Sequence, residues 1–210
     1  MSSERTAAVN ALTALLRVAD LGIDARRPLT SSQITTVAAW RTRNEHLAPA
    51  TAREEAIRLA KRVTTLDEEL KTNTKRVTEL INTSPARELL NQPGIGPVTA
   101  AVALTAWSHL GRIRSEAAFA SLAGVNPIPA SSGNTVRHRI NRGGDRRLNR
   151  ALHMAIVTRI RMDPRTRAYV ERRTAEGRTP REIRRCLKRY LARQIYRHLN
   201  AAAQNTPSTT

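Results

Sequence analysis

Cysteine and aromatic residues are scarce in this sequence of 210 residues, and their scarcity excludes several kinds of protein. Cys186 is the one cysteine, so the fold cannot rest on disulfide bonds, and a reducing cytoplasm is the expected compartment. Aromatic side chains make up 3% of the chain, so Leu, Val, Ile and Ala must form the core, which favours helices over sheets. No apolar run approaches the length of a membrane span, and the N-terminus has no signal-peptide layout. We therefore expect an all-α protein with no membrane partner.

Acidic residues are also few: 17 Asp and Glu stand against 36 Lys and Arg, for a formal net charge of +19. All but four of the basic residues are arginines, whose planar guanidinium groups form bidentate contacts with phosphate. The excess is uneven, because residues 1–85 hold 13 basic and 10 acidic residues while residues 86–210 hold 23 and 7. The charge pattern therefore predicts a nucleic-acid partner that binds the C-terminal part of the chain.

The N-terminal part, residues 1–84, is predicted to form a helical linker and a coiled coil. Apolar spacing favours a first helix over residues 4–19. Thr30 and Gln33 have the capping-box spacing for a short helix, and Thr51 and Glu54 repeat that spacing. From this second capping box we expect one long helix that ends near residue 81.

Apolar residues in that long helix recur at alternating steps of three and four, which is the spacing of a coiled-coil seam. The seam consists of Ala56, Leu59, Val63, Leu66, Leu70, Asn73, Val77 and Leu80. Its partner is either the first helix of the same chain or another subunit, and the sequence does not decide between them. A polar residue such as Asn73 at a seam position often fixes the oligomeric state, so we favour a homo-oligomer.

Residues 85–200 are predicted to form a second helical domain that contains a helix-hairpin-helix. The hairpin is the sequence Pro-Gly-Ile-Gly over residues 93–96, and Pro97 is placed to begin the next helix. Glycines let the backbone approach a phosphate, and the free amides at the helix start can bind its oxygens without reading bases. The candidate phosphate contacts here are Gly94, Ile95 and Gly96. A plain interhelical turn is the alternative.

The sharpest chemical signal lies in residues 126–150, where two hydroxyl groups, Ser131 and Ser132, precede Gly133. The arginines around them are Arg114, Arg137, Arg139, Arg142, Arg146, Arg147 and Arg150. A serine can attack phosphorus while guanidinium groups stabilise charge on the phosphoryl oxygens. The alternative is an ordinary turn whose arginines hold a nucleic-acid backbone, and composition alone favours that alternative.

Capping residues outline the other helices of this domain. Ser115 is expected to cap a helix over residues 116–123, Asp145 the helix after a short hairpin arm, and Thr179 the last helix. The apolar stripe of that last helix is Ile183, Leu187, Leu191, Ile195 and Leu199. Residues 201–210 are expected to form a disordered tail. The five histidines lack metal-ligand spacing with Cys186 or with acidic residues, so no metal is expected to bind this chain.

Two stretches of the chain, LLNQPGIGPVTAAVALTAW and SEAAFASLAGVNPIPASSGNTVRHRINRGGDRRLNRALHMAI, resemble a known family. It is the transposase family of the insertion sequences IS110, IS116 and IS902, and the resemblance is to its C-terminal transposase domain. The similar region covers roughly residues 86–200 and includes the hairpin, the Ser-Gly turn and the Arg-Gly-Gly-Asp helix start. Residues 4–82 resemble the helical linker and coiled coil that precede this domain in the family.

The resemblance implies a recombinase that acts on double-stranded DNA in the bacterial cytoplasm, associated with the nucleoid. In the family, the C-terminal domain supplies a serine nucleophile that is linked transiently to DNA; it falls on Ser132 here, with Ser131 as the rival. A RuvC-like N-terminal domain supplies acidic residues that hold magnesium, and the element encodes a guide RNA. This chain begins where that acidic domain should already have ended. We therefore expect a truncated transposase that does not cleave DNA strands alone.

Two hypotheses follow for the function. One is a transposase portion whose serine needs a partner domain. The other is a non-catalytic helix-hairpin-helix protein that binds DNA or structured RNA through arginines alone. The candidate phosphate-binding residues are Gly94, Ile95, Gly96, Arg137, Arg139, Arg142, Arg146 and Arg147.

Overall fold

Helices make up most of the regular structure in the computed structural model, which describes residues 1–131 and 138–205. The helices of the described residues are α1 Ser2–Val18, α2 Ser31–Ala38, α3 Leu47–Asn82, a short 3₁₀ helix Arg87–Asn91, α4 Pro97–Trp107, α5 Glu116–Leu122, α6 Arg146–Met162, α7 Pro164–Ala175 and α8 Pro180–Gln204. Two strands, β1 Pro127–Pro129 and β2 His138–Ile140, pair antiparallel as a short arm. The expected all-α class is confirmed. No helix of the described residues is long and apolar enough to span a membrane.

The chain divides into two compact units, Met1–Lys75 and Arg76–Thr210, and the division falls inside α3. The sequence places the boundary later, between residues 84 and 85. Each unit has its own apolar core. The first unit contains 12 basic and 9 acidic residues and the second 24 and 8, so the net charge is +3 against +16. Nearly all of the positive excess therefore belongs to the second unit.

Side-chain caps begin helices where the sequence predicts them. Thr30 and Gln33 form a complete capping box at the start of α2, with hydrogen bonds of 3.2 and 2.9 Å. Ser115 accepts a hydrogen bond from the Ala118 amide at 3.1 Å at the start of α5. A second complete capping box, led by Thr179, starts α8. These caps satisfy amides that have no partner inside a helix.

Helix α3 begins earlier than the sequence predicts, at Leu47, and the capping box predicted at Thr51 is wrong. Pro49 lies in the first turn of the helix, where the missing N–H of proline removes no intrahelical hydrogen bond. The Thr51 hydroxyl donates to the Leu47 carbonyl oxygen at 2.9 Å instead of capping a new helix. Thr51 and Glu54 have the spacing of a capping box, but Thr51 lies inside the helix and lacks the extended backbone conformation that a cap requires.

The first half of the α3 seam packs inside the first unit. Ala56, Leu59 and Val63 are buried in the same core as Leu12 and Leu16 of α1. The α1 helix is therefore the partner of this half, one of the two alternatives that the sequence left open. Further along the seam the side chains of Asn73 and Leu80 are exposed, and self-association there stays a prediction.

The core of the second unit gathers side chains from α4, α5, α6 and α8. The fully buried side chains of this core include Phe119, Leu148, Leu152, Ile156, Leu191, Ile195 and Leu199, with Trp107 of α4 also buried. All five residues of the predicted α8 stripe are buried, which confirms the face of this helix that turns inward. The helix continues to Gln204, four residues into the segment expected to be a disordered tail, and residues 206–210 lie outside the described residues.

Replacing Leu66 by Asp should strongly destabilise the first unit, because this fully buried side chain would become a charge without a partner. Loss of a buried leucine alone costs about 2–5 kcal/mol. Leu80→Asp is the matched control, since the Leu80 side chain is 60% exposed in the same seam. Urea unfolding followed by circular dichroism measures both variants. If Leu66→Asp keeps the unfolding midpoint and only lowers the mass seen by light scattering, another subunit covers Leu66 and this packing is wrong.

Candidate nucleic-acid interface

The turn between the 3₁₀ helix and α4 forms at the predicted place. The Ile95 amide donates to the Gln92 carbonyl oxygen at 3.1 Å, and Gly94 has a φ of +74°, a conformation that side chains disfavour. Gly96 is the N-cap of α4 and Pro97 its first residue, and no side chain caps this helix start. Because the Ile95 side chain is buried in the core of the second unit, the turn is anchored from inside.

The two glycines of this turn have different surroundings. A Cβ atom on Gly94 would lie 2.5 Å from the Ala155 carbonyl oxygen of α6, so a glycine is needed there for packing. A Cβ atom on Gly96 would meet no atom within 4 Å, and its φ of −94° suits any residue. Gly94 and Ile95 therefore face the protein, while Gly96 is exposed beside the free amides of α4. Among the three candidate contacts, Gly96 is the one in front of which a phosphate has room.

Arg159 of α6 holds the turn in place, and sequence reasoning missed it. Its Nε donates to the Pro93 carbonyl oxygen at 2.6 Å, and its Nη1 donates to Gln194 Oε1 at 3.3 Å. Burial lowers the pKa of the Arg159 guanidinium, and the nearby Asp163 carboxylate opposes that shift. The available signal was an arginine three positions after Ile156 and one before Ile160, beside the apolar stripe of its helix.

A chain of amides extends this link to α8. Gln194 Nε2 donates to Gln92 Oε1 at 2.7 Å, and Gln92 Nε2 lies 3.4 Å from His198 Nε2. Because arginine can only donate, Arg159 fixes the orientation of both glutamine amides, and His198 Nε2 becomes the acceptor at the end. The residue directly before the turn is thereby fixed to α8.

The arm that leads to the candidate serine is closed at its base. In the strand pair Ile128 lies opposite Arg139. Asn141 Nδ2 donates to Asn126 Oδ1 at 2.7 Å, across the two ends of the arm. Ser131 is exposed, while residues 132–137, which include Ser132 and Arg137, lie outside the described residues. The structure therefore shows where the segment with the candidate nucleophile is attached.

The Arg-Gly-Gly-Asp motif joins the arm to α5 and α6. Gly144 has a φ of +95°, and a Cβ atom there would lie 2.4 Å from the Leu122 carbonyl oxygen. The Asp145 amide donates to that same oxygen at 2.6 Å, and the Asp145 carboxylate caps α6, as predicted. Asn149 Nδ2 donates to the Ala123 carbonyl oxygen at 2.7 Å. The motif is therefore a tight structural junction beneath the arm.

Four predicted phosphate-binding arginines are exposed at this junction. Arg139 lies on β2, Arg142 follows that strand, and Arg146 and Arg147 are the first two residues of α6. None of the four has an acidic partner among the described residues. Cations at a helix N-terminus are opposed by the helix dipole at a cost of about 0.3–1 kcal/mol each. The position of Arg146 and Arg147 at the start of α6 therefore favours binding of an anion over a role in stabilising the helix.

The first unit treats its arginines differently. Arg53 is buried and makes two hydrogen bonds of 2.7 and 2.6 Å to Glu45, and Arg58 binds Glu55 in the same bidentate way. Hydrogen bonding from these guanidinium groups lowers the pKa of the Glu45 and Glu55 carboxyls. Acidic residues neutralise most of the positive charge of the first unit. The guanidinium groups that remain available to bind an anion therefore lie mainly in the second unit.

No group of three or more His, Cys, Asp and Glu side chains within residues 1–131 and 138–205 is arranged to hold a metal ion. The Asp67-Glu68-Glu69 run of α3 illustrates why, since Asp67 pairs with Arg5 of α1.

Comparison with known proteins identifies relatives of this chain. The family described as "Transposase IS116/IS110/IS902 family" matches residues 86–171. An insertion element IS900 protein of 42 kDa from Mycobacterium paratuberculosis is 31% identical over 156 residues, which are 73% of this chain and 39% of that protein. An insertion element IS110 protein of 43.6 kDa from Streptomyces coelicolor is 32% identical over 123 residues, 58% of this chain and 30% of that protein. The chain spans between 30% and 39% of the length of these relatives.

Gly94→Ala should destabilise the second unit, because the added methyl group would meet the Ala155 carbonyl oxygen. The left-handed backbone conformation alone costs a side chain about 1–2 kcal/mol. Gly96→Ala is the matched control, since the same methyl group would enter open space and the loss, about 0.5–1 kcal/mol, would come only from the poorer N-cap of alanine and stay below that at Gly94. Calorimetric unfolding of both variants checks this. Equal losses of Tm at the two positions would contradict the packing of the turn on α6.

Proposed function

Because residues 86–171 belong to the IS116/IS110/IS902 transposase family, we propose that this chain provides the DNA-binding portion of an insertion-sequence transposase. The second unit holds the phosphate backbone of duplex DNA, and a serine of the arm attacks one phosphodiester. The observation that carries the proposal is a group of exposed arginines at the base of the arm that have no acidic partner within the described part of the chain: Arg139, Arg142, Arg146 and Arg147.

Duplex binding rests on backbone phosphates, because the candidate contacts are charges and amides that carry no base-reading pattern. The uncapped start of α4 beside Gly96 offers amides to one phosphate. Arg146 and Arg147 offer exposed guanidinium groups in the first turn of α6, where their charge binds a phosphate even though the Asp145 carboxylate occupies the free amides of that helix start. Arg159 keeps the first of these two places fixed on α6.

Ser132 is the proposed nucleophile, with Ser131 as its rival, and Arg137, Arg139 and Arg142 hold the phosphate. Attack of the serine oxygen on phosphorus forms a serine–phosphate bond and breaks the bond to one sugar oxygen. The hydroxyl proton leaves the serine, and the departing sugar oxygen takes up a proton. Guanidinium groups stabilise the charge on the non-bridging oxygens as it grows.

Partners beyond this chain complete the proposal. Magnesium is proposed to bind the acidic domain that the family resemblance implies. An RNA encoded by the element is the proposed guide. Self-association through the exposed end of the α3 seam, near Leu80, is the proposed mode of assembly.

A non-catalytic nucleic-acid-binding protein is the second candidate. One observation favours it: the exposed arginines at the base of the arm and the free amides at the start of α4 can hold backbone phosphates without any chemical step. Both candidates predict DNA binding, and they differ in whether a covalent adduct forms.

Duplex binding should weaken steeply with salt, since each neutralised phosphate releases counterions and contributes a slope of about −0.9 to log affinity against log salt. Replacing Arg146 and Arg147 by Gln should reduce the slope by roughly one per residue. Arg58→Gln is the matched control, because Arg58 lies in the first unit and is paired with Glu55. Fluorescence anisotropy across a salt series measures the duplex affinity of the unmutated chain, of the double variant and of the control. A flat response of the unmutated chain would contradict the electrostatic basis of binding.

Ser132→Ala should abolish a covalent protein–DNA adduct while leaving DNA affinity nearly unchanged, because one neutral hydroxyl adds little beside many arginines. The adduct is expected when the acidic domain, magnesium and the guide RNA are supplied, and it is detected by denaturing electrophoresis. The chain alone should bind DNA without forming it. Loss of the adduct in Ser131→Ala instead would transfer the role to the rival serine. An adduct that survives both changes would remove serine catalysis and leave duplex binding standing.

A further inference from the structure

Tyr190 of α8 is unusual among the aromatic side chains of this protein. Its side chain is 55% exposed, whereas Trp107, Phe119 and Tyr196 are buried. The Tyr190 ring meets the ring of Tyr169 edge to face, with centroids 6.2 Å apart and planes at 89°. Tyr169 is partly buried against the core of the second unit, so it supports the exposed ring from below. The Tyr190 ring is thereby held in place and exposed to solvent on α8, which carries more arginines than any other described helix.

A groove of about 760 Å³ opens beside this ring, between α8 and the start of α5. Its lining residues are Glu116, Tyr190, Arg193, Gln194, Arg197, His198 and Ala201. Those on α8 recur at steps of three and four, so they share one face of the helix. The volume is in the range that accepts a ligand the size of a nucleotide.

The groove carries a positive excess that is not fully neutralised. Arg193 Nε donates to Glu116 at 2.7 Å, and Arg197 Nε lies 3.5 Å from the other oxygen of the same carboxylate. Two guanidinium groups therefore share one negative charge. The Arg197 side chain is 67% exposed, and an ion pair of that length and exposure adds little stability. Arg197 can therefore turn to a phosphate at small cost, while Arg193 stays oriented by Glu116.

We propose that this groove binds an unpaired nucleotide of a single-stranded nucleic acid. The base stacks on Tyr190, and Arg193 and Arg197 hold the phosphates on either side. Aromatic faces combined with arginines are the means by which proteins hold single strands, since every base offers a face for stacking once it has left a duplex. Tyr190 lies beyond the segment that matches the transposase family, residues 86–171. The groove acts independently of the serine and of the duplex contacts at the base of the arm.

Binding of labelled oligonucleotides to the full chain tests the proposal. One sequence is prepared as single-stranded DNA, single-stranded RNA and duplex DNA, each with a 2-aminopurine base whose fluorescence is quenched on stacking. Tyr190→Ala should lower single-strand affinity by at least about fivefold and remove the quenching. Tyr190→Phe should restore both, because its ring still stacks. Duplex affinity should be the same in all three proteins, and comparison of the DNA and RNA strands shows which of the two is held.

Met154→Ala is the matched control, since Met154 is a 54% exposed apolar residue on another helix of the same unit and should change neither affinity nor quenching. Circular dichroism confirms that each variant is folded. The proposal is overturned if Tyr190→Ala binds single strands as tightly as the unmutated chain, or if Phe fails to restore what Ala loses. It is also overturned if duplex and single-strand affinity fall together, since Tyr190 would then support the unit as a whole. Failure of duplex binding in the unmutated chain would instead remove the proposed function and leave this test intact.

Discussion

Close backbone contact onto α6 is the constraint on which the second unit depends. The turn before α4 meets this helix where Gly94 lies against the Ala155 carbonyl oxygen, and Arg159 fastens the turn from the same helix. At the other end, Asp145 begins α6 while its amide binds α5. A side chain at Gly94 or at Gly144 would collide with a backbone carbonyl oxygen, so neither contact tolerates a larger residue. One rigid helix therefore sets the spacing between the two places where we propose that phosphates bind, and the spacing does not depend on the loops themselves.

Much of this arrangement is local and could be predicted from the sequence. Ser115, Asp145 and Thr179 cap helices because a short polar side chain can reach its own backbone, and the α8 stripe is a matter of helical period. Contacts between distant segments could not be predicted in this way. The spacing at Thr51 matched a capping box, but nothing in it revealed that the helix had already begun. The two glycines of the turn look alike in sequence, and only the position of α6 separates the packed one from the exposed one. For the same reason the sequence did not predict that α1 packs on the α3 seam or that Arg159 binds the Pro93 carbonyl oxygen, since both contacts join residues far apart along the chain.

The two units use arginine in opposite ways. In the first unit guanidinium groups meet carboxylates, as Arg53 meets Glu45, and the resulting pairs hold segments together. In the second unit a few such pairs also form, as between Arg193 and Glu116, but 8 acidic residues cannot pair with 24 basic ones, and repulsion among the remaining cations works against the compact state. A polyanion removes this repulsion, and a ligand that binds only the folded state stabilises it further. On the proposed function, stability and nucleic-acid binding are therefore coupled in the second unit.

The uncapped start of α4 has a consequence for engineering and for evolution. Aspartate or serine in place of Gly96 would satisfy an amide there and would typically raise helix stability by a few tenths of a kcal/mol. Yet a side-chain oxygen at that position would occupy the amides from within, and an aspartate would repel any phosphate that approached. Selection for thermal stability alone would favour this substitution, and on the proposed function the variant would bind DNA phosphate less tightly. Glycine at position 96 leaves the first amides of α4 without a side-chain cap, and these unsatisfied amides are what remain available to a ligand.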